Sequence, residues 1–171
     1  MKKIVMILFS SVFLFLINCS DSGQTAAKPQ PDPVQSNEQK LNAFLGEMRE
    51  IITGAESVES YLVKIKQVNA TQNTIAGYPI VKKGANLNAE QVALLKKVLL
   101  SANTYDFERV KKNFLLPEYA FVIKKGNQSV TVLIDYYRNE ILFRYGTTEK
   151  KEDFDNARES MMKITQALFP R

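Results

Sequence analysis

Residues 119–145 admit very few arrangements. Gly126-Asn127 and Arg138-Asn139 each separate runs in which apolar residues alternate with others, and both pairs suit two-residue hairpin loops. Folding at the first places Ile123 opposite Val130, Phe121 opposite Val132 and Tyr119 opposite Ile134. Folding at the second places Tyr136 opposite Ile141, Ile134 opposite Phe143 and Val132 opposite Tyr145. Two independent turns thus put every one of these residues on the same face. A slip of one residue would scatter them, because side chains alternate across a strand. The spacing predicts a three-strand antiparallel meander with one apolar face, and such a face must be covered.

The remaining segments supply the cover. Glu38 to Thr53 carries a helical stripe of Leu41, Phe44, Leu45, Met48, Ile51 and Ile52, closed by Gly54. Ser57 to Val68 reads as a strand with Tyr61, Val63 and Ile65 on one face. Ile75 to Lys82 reads as a weaker strand, with Pro79 marking an edge or a bulge. Asn88 and Gln91 form a capping box, and Leu87 with Val92 a hydrophobic staple. The helix they open buries Val92, Leu95, Leu99 and Ala102, with Asn103 as its stop. A last helix from about Glu152 to Phe169 carries Phe154, Ala157, Met161, Ile164 and Leu168 and ends at Pro170. Together these predict an α+β domain over residues 38–171. Its antiparallel sheet has four to five strands, including the C-terminal meander, and about three helices pack on one face.

What is missing narrows the chemistry. The 171 residues include no histidine, no tryptophan and one cysteine, Cys19. A Ser-His-Asp or Cys-His nucleophile is therefore excluded, as are an ordinary zinc site and an intramolecular disulfide. No metal or cofactor is expected. The chain carries 23 basic and 18 acidic residues; with Lys2 and Lys3 counted to the leader, the remainder has 21 basic residues and a net charge of +3. That mild surplus does not argue for nucleic acid.

The leader is informative. Met1-Lys2-Lys3 is positive, and Ile4 to Ile17 is apolar apart from Ser10 and Ser11. As a helix this run would reach about 21 Å, short of the ~30 Å hydrocarbon core, which fits a signal peptide rather than a spanning helix. Leu16-Ile17-Asn18-Cys19 resembles the lipobox of bacterial lipoproteins, with Asn18 standing where Gly, Ala or Ser is usual. The resemblance implies lipid attachment to the Cys19 sulfur, cleavage before Cys19 and acylation of its new N-terminus. Residues 1–18 would be the signal peptide and residues 19–37 the lipidated cysteine and a tether. Lipidation would also consume an otherwise exposed thiol. By analogy with lipoprotein sorting, Ser20 after the cysteine implies the outer rather than the inner membrane. Pro29, Pro31 and Pro33 and the scarcity of apolar residues make the tether a spacer, about 60 Å when stretched and nearer 25 Å as a coil.

Four constellations bear on chemistry. Ser160-Met161-Met162-Lys163 matches a Ser-x-x-Lys motif, but the companion Ser-Asp-Asn and Lys-Thr-Gly motifs do not occur. Glu149, Glu152, Asp153 and Asp155 suit a helix N-terminus better than a calcium loop. Asp135, Tyr137 and Arg144 share the less apolar sheet face, where Asp135 and Arg144 would be diagonal neighbours, an ion pair or the floor of a binding groove. Lysine doublets at 82–83, 96–97, 111–112, 124–125 and 150–151 could gather against an anionic lipid or glycan. The combination predicts no catalytic residue. It points to a lipid-anchored interaction or scaffold domain of the bacterial cell envelope. Its partner would be the membrane through Cys19 and another envelope protein, an anionic lipid or a glycan. The alternatives are a small enzyme using carboxylate, Tyr and Arg groups, or a ligand carrier with an apolar cavity.

Overall fold

The meander forms the middle of a larger sheet. In the computed structural model the described residues are 36–65, 73–109 and 114–170. The leader, Cys19 and the tether up to residue 35 lie outside them, as do Lys111-Lys112 and the expected extension of the first strand to Val68.

Strands β4 (Tyr119–Lys125), β5 (Gln128–Asp135) and β6 (Glu140–Tyr145) are antiparallel neighbours. The first turn has the expected register, with Tyr119 opposite Ile134, Phe121 opposite Val132 and Ile123 opposite Val130. Gly126 takes a φ of 54°, which glycine adopts without strain. The second turn differs by two residues. Tyr136 to Asn139 form a four-residue loop, so Ile134 faces Ile141 and Val132 faces Phe143. A slip of two keeps every side chain on its face, so the apolar surface survives. The reason is local. Tyr136 leaves the ladder and is buried, with its hydroxyl 2.9 Å from Thr165 Oγ1, while the Arg138 N–H donates to Asp135 at 3.0 Å.

The sheet has seven strands rather than four or five, all antiparallel, in the order β2-β3-β1-β4-β5-β6-β7. Strand β1 (Ser57–Val63) pairs β4 and also β3 (Tyr78–Lys83), with an irregularity at Leu62/Val63. Pro79 lies near the sheet edge, where β3 meets the two-residue β2 (Thr74–Ile75). The seventh strand, β7 (Thr148–Asp153), pairs β6 across the Gly146-Thr147 turn. Thr-Glu-Lys-Lys-Glu-Asp has no apolar alternation. It suits an edge strand, where charge discourages further pairing. The acidic residues expected at a helix start thus belong largely to β7, and the last helix, α4, runs only over Arg158–Leu168.

Among the described residues four α-helices cover one face. The expected first helix is two, α1 (Asn37–Leu45) and α2 (Met48–Thr53), because Gly46 adopts φ 52°, ψ −131°. Ser36 and Gln39 form an N-terminal capping box, and Gly54 closes α2. Helix α3 (Ala89–Leu99) has the expected box at Asn88 and Gln91 and ends before Asn103; Ala102–Thr104 form a separate 3-10 turn. Leu41, Ile52, Leu99, Met161 and Ile164 from the four helices pack on Phe121, Val132, Ile134 and Phe143 of the sheet. Val58 of β1 joins this core. Tyr61 and Val63 instead face the other way, into a smaller cluster with Leu115, Ala120 and Leu133. Among the described residues no helix is long and apolar enough to cross a membrane.

Gly84 marks a tight approach between the start of this layer and its end. A methyl there would sit 2.7 Å from the Phe169 ring and closer still to Ser60 Oγ. Gly84→Ala is therefore expected to cost about 1–3 kcal/mol through overpacking. A urea midpoint equal to that of the wild type would contradict this contact.

Candidate functional site

The shortened β5–β6 pairing rearranges the face on which Asp135, Tyr137 and Arg144 were expected to meet. Asp135 lies opposite Glu140 and Arg144 opposite Thr131, so the two are not diagonal neighbours. Asp135 is fully buried. Its carboxylate accepts from the Leu116 N–H at 2.8 Å and the Arg138 N–H at 3.0 Å, with the Arg138 guanidinium at 3.4 Å. It fastens the loop after β5 to the approach to β4. Arg144 instead binds Glu149 of β7, Nε to Oε1 at 2.7 Å. Tyr137 stands in the loop, 82% exposed, with the Arg138 guanidinium 5.3 Å from its ring. Arg144 is thus parted from the other two, and Asp135 and Tyr137 have only the Arg138 guanidinium between them in common.

That face is also partly roofed. Ile75, Ala76 and Tyr78 of the β2–β3 hairpin pack on the cluster of Val63, Leu115, Ala120 and Leu133, and the Tyr78 hydroxyl donates to the Leu115 carbonyl at 3.3 Å. Burial there pushes the Tyr78 hydroxyl above its ordinary pKa. The sheet curls over its second face instead of presenting it flat.

Among the described residues the lysine doublets are not gathered into a basic patch. Lys96 caps the end of α2 through the carbonyls of Thr53 and Ala55, and Lys150 binds the Ala43 carbonyl in α1. Lys125 pairs with Glu50. Lys83 and Lys124 both reach Glu59, at 3.0 and 2.9 Å. These bonds, Lys124 first, hold the Glu59 carboxyl down from an ordinary 4.5 to about 2. Lys151 lies 2.9 Å from the buried Glu140. Asp135, Glu140 and Asp153 stand side by side across β5, β6 and β7, all buried, and each has a cation: Arg138, Lys151 and Arg109 respectively. Among the described residues no group of acidic side chains is placed to hold a metal ion. Ser160 and Lys163 are exposed on α4.

A different feature has the shape of a binding site. Two adjoining cavities, of about 260 and 360 Å³, share Glu118, Tyr119 and Phe169. One is walled by Tyr136, Tyr137, Arg158 and Met162, the other by Leu62, Val63, Val81, Lys82 and Pro170. The Tyr119 ring lies 5.7 Å from that of Tyr136 in an edge-on arrangement and 5.5 Å from that of Phe169. The Arg158 guanidinium sits 5.4 Å from the Tyr136 ring and bonds the Tyr136 carbonyl and the Asn139 side chain. Burial drives the Tyr136 hydroxyl above its ordinary pKa, so it stays a neutral partner for Thr165. The groove offers aromatic edges and a fixed cation. That suits contact with a partner better than proton transfer. Sequence reading missed it, because Tyr119, Tyr136 and Phe169 look like core positions and only their crowding at one end makes a groove.

No family model matches this chain. No curated protein matches it either. It is similar to a crystal structure described as "Putative Lipoprotein from Clostridium perfringens". The two are 16% identical, with 77% of this chain and 97% of that one covered and a TM-score of 0.44. A likeness that loose carries no argument about fold or function.

Two outcomes follow from the charge network. Glu59 has a folded pKa below its unfolded one, so its contribution to stability is present above about pH 4.5 and fades as pH falls toward 2. Glu59→Gln should therefore lower the urea midpoint at pH 7, with the gap from the wild type closing as pH approaches 2. A gap that widens on acidification would refute the assignment. Lys151→Met would leave Glu140 buried without its cation and should cost about 3–5 kcal/mol. Adding Glu140→Leu should recover much of that loss, and equal midpoints for the single and double variants would contradict the pairing.

Proposed function

We propose that the chain is a lipid-anchored lipoprotein of the bacterial cell envelope, and that its folded domain is a non-catalytic interaction module. The observation that carries the reading is Cys19, placed directly after an apolar run of signal-peptide length in Leu16-Ile17-Asn18-Cys19. Multiple acyl chains at that cysteine would anchor the protein firmly, where one chain alone binds weakly. Ser20 favours the outer membrane as its address.

The domain supports a binding role through its engaged polar groups and its groove. Asp135, the carboxylate that an enzyme would use most readily, is occupied by two backbone N–H groups. The groove around Tyr119, Tyr136 and Phe169 supplies aromatic contact area with a cation at its wall. Its partner would be an envelope protein, an anionic lipid or a glycan.

Cys19→Ala is expected to abolish fatty-acid labelling of the expressed protein and to release the domain from the membrane fraction. Labelling that persists in the variant would overturn the anchored reading.

A further inference from the structure

The two halves of the groove differ in what lines them. The first has Arg158 in its wall, with Tyr136 and Gln166 beside it. The second is mostly aliphatic and opens on Leu62, Val63 and Val81. Glu118, Tyr119 and Phe169 stand at the junction, because both halves share them. The way from one to the other is short. The Arg158 guanidinium lies 5.4 Å from the Tyr136 ring, and that ring lies 5.7 Å from Tyr119. Tyr119 is opposite Leu62 in the β1–β4 ladder. A ligand that fills both halves therefore carries an apolar part close to a part that suits a guanidinium.

Arg158 is half-buried and has no carboxylate partner among the described residues. Both of its hydrogen bonds use Nη1, to the Tyr136 carbonyl and the Asn139 side chain, and they fix the group in place. Its Nη2 and Nε make no hydrogen bond within the described residues. The acids on either side are engaged elsewhere, Asp135 with Arg138 and Asp155 with Arg109. A fixed guanidinium with N–H groups to spare suits a carboxylate, which accepts two parallel bonds from it. Glu118 at the junction and Lys82 in the second half are the other charges that line the groove. An acid on the ligand therefore belongs at Arg158 and not at the junction.

The mixed lining also selects the class of occupant. A hydrocarbon chain laid along the groove would cover Arg158 and Gln166 without bonding them, and stripping water from unpaired polar groups is costly. A glycan would bring hydroxyls against Leu62, Val63 and Val81. An extended peptide satisfies both halves. Its amides bond polar side chains, and its own side chains supply an acid and an apolar group. It advances about 7 Å for every two residues, so an acid at Arg158 and an apolar side chain beyond Tyr119 lie about two to four residues apart.

We propose that the groove is a peptide-binding site for an extended segment of a partner protein. An Asp or Glu side chain of that segment sits on Arg158, and an aliphatic or aromatic side chain sits against Leu62 and Val81. Tyr119 and Phe169 form the bed between them. The inference deepens the reading of the domain as an interaction module and rests on it for its setting. Of the three partner classes it selects the protein, and it gives the short motif by which that protein is held.

The test uses unlipidated Ser20–Arg171, which retains the whole folded unit from Val34 onward. Phage-displayed random dodecapeptides are selected on it and, in parallel, on Arg158→Met. The wild type should enrich peptides with Asp or Glu two to four residues from Leu, Ile, Val or Phe, and Arg158→Met should not. The enriched peptide, made with both ends blocked, should lose about tenfold or more in affinity when its acid becomes the amide. Arg158→Met should cost a similar factor, and the two changes together should cost little more than either alone. Val81→Asp, at an exposed position on the apolar half, should weaken binding while Leu94→Ser on α3 leaves it unchanged. Circular dichroism of each variant checks that the fold is kept. No enrichment over the Arg158→Met selection would overturn the proposal, as would enriched peptides without an acid. Losses from the amide peptide and from Arg158→Met that simply add would do the same. So would Arg158-dependent binding of N-acetylglucosamine oligomers or phosphatidylglycerol vesicles without peptide enrichment, although the interaction module would then stand with a different partner. The probe carries no lipid, so none of these results bears on the Cys19 anchor.

Discussion

The pairing of β4 with β5 is the constraint on which the rest depends. Phe121 opposite Val132, both fully buried, lies at the centre of a face that α1 to α4 all contribute to burying. Strands added on either side inherit their facing from this pair, because side chains alternate along a strand and neighbours in a ladder share a side. A one-residue slip here would turn Phe121 and Ile123 toward the second face and offer α1 to α4 Ala120, Val122 and Lys124 of β4 in their place. The Gly126 turn is thus worth more than its local hydrogen bonds. It sets the parity of the whole sheet.

Charge completes what apolar burial begins. Asp135, Glu140 and Asp153 close the ends of three neighbouring strands, and each is matched by a basic side chain. Buried ions are costly unless paired, so removing either member of a pair in this row would strand a charge. Lys96 and Lys150 use the same economy at helix ends, where unsatisfied carbonyls attract a cation. A sequence rich in lysine doublets therefore produces dispersed fastenings.

Tyr137 projects from a loop held by Asp135, whose two oxygens accept from the backbone N–H groups of Leu116 and Arg138. The buried carboxylate thus shapes a surface that it never reaches. Sequence reading placed Asp135 in a binding face with Arg144, and the four-residue loop separated them. The pattern could not distinguish the two registers, since both keep Ile134, Ile141 and Phe143 on the apolar side.

By itself the sequence determined the signal-peptide-like leader, the lone cysteine, the absence of imidazole chemistry, the antiparallel meander and the capping box of α3. Each of these is local, readable from composition or from spacing within a few residues. Only the tertiary structure decided the extra strands β2 and β7, the break at Gly46, the partners of Asp135 and Arg144, and the groove at Tyr119 and Phe169. Those depend on which distant segments meet. Strand β7 is polar because it sits at an edge, and Tyr136 leaves its strand because α4 offers Thr165. Neither reason exists until the chain has folded around the β4–β5 pair.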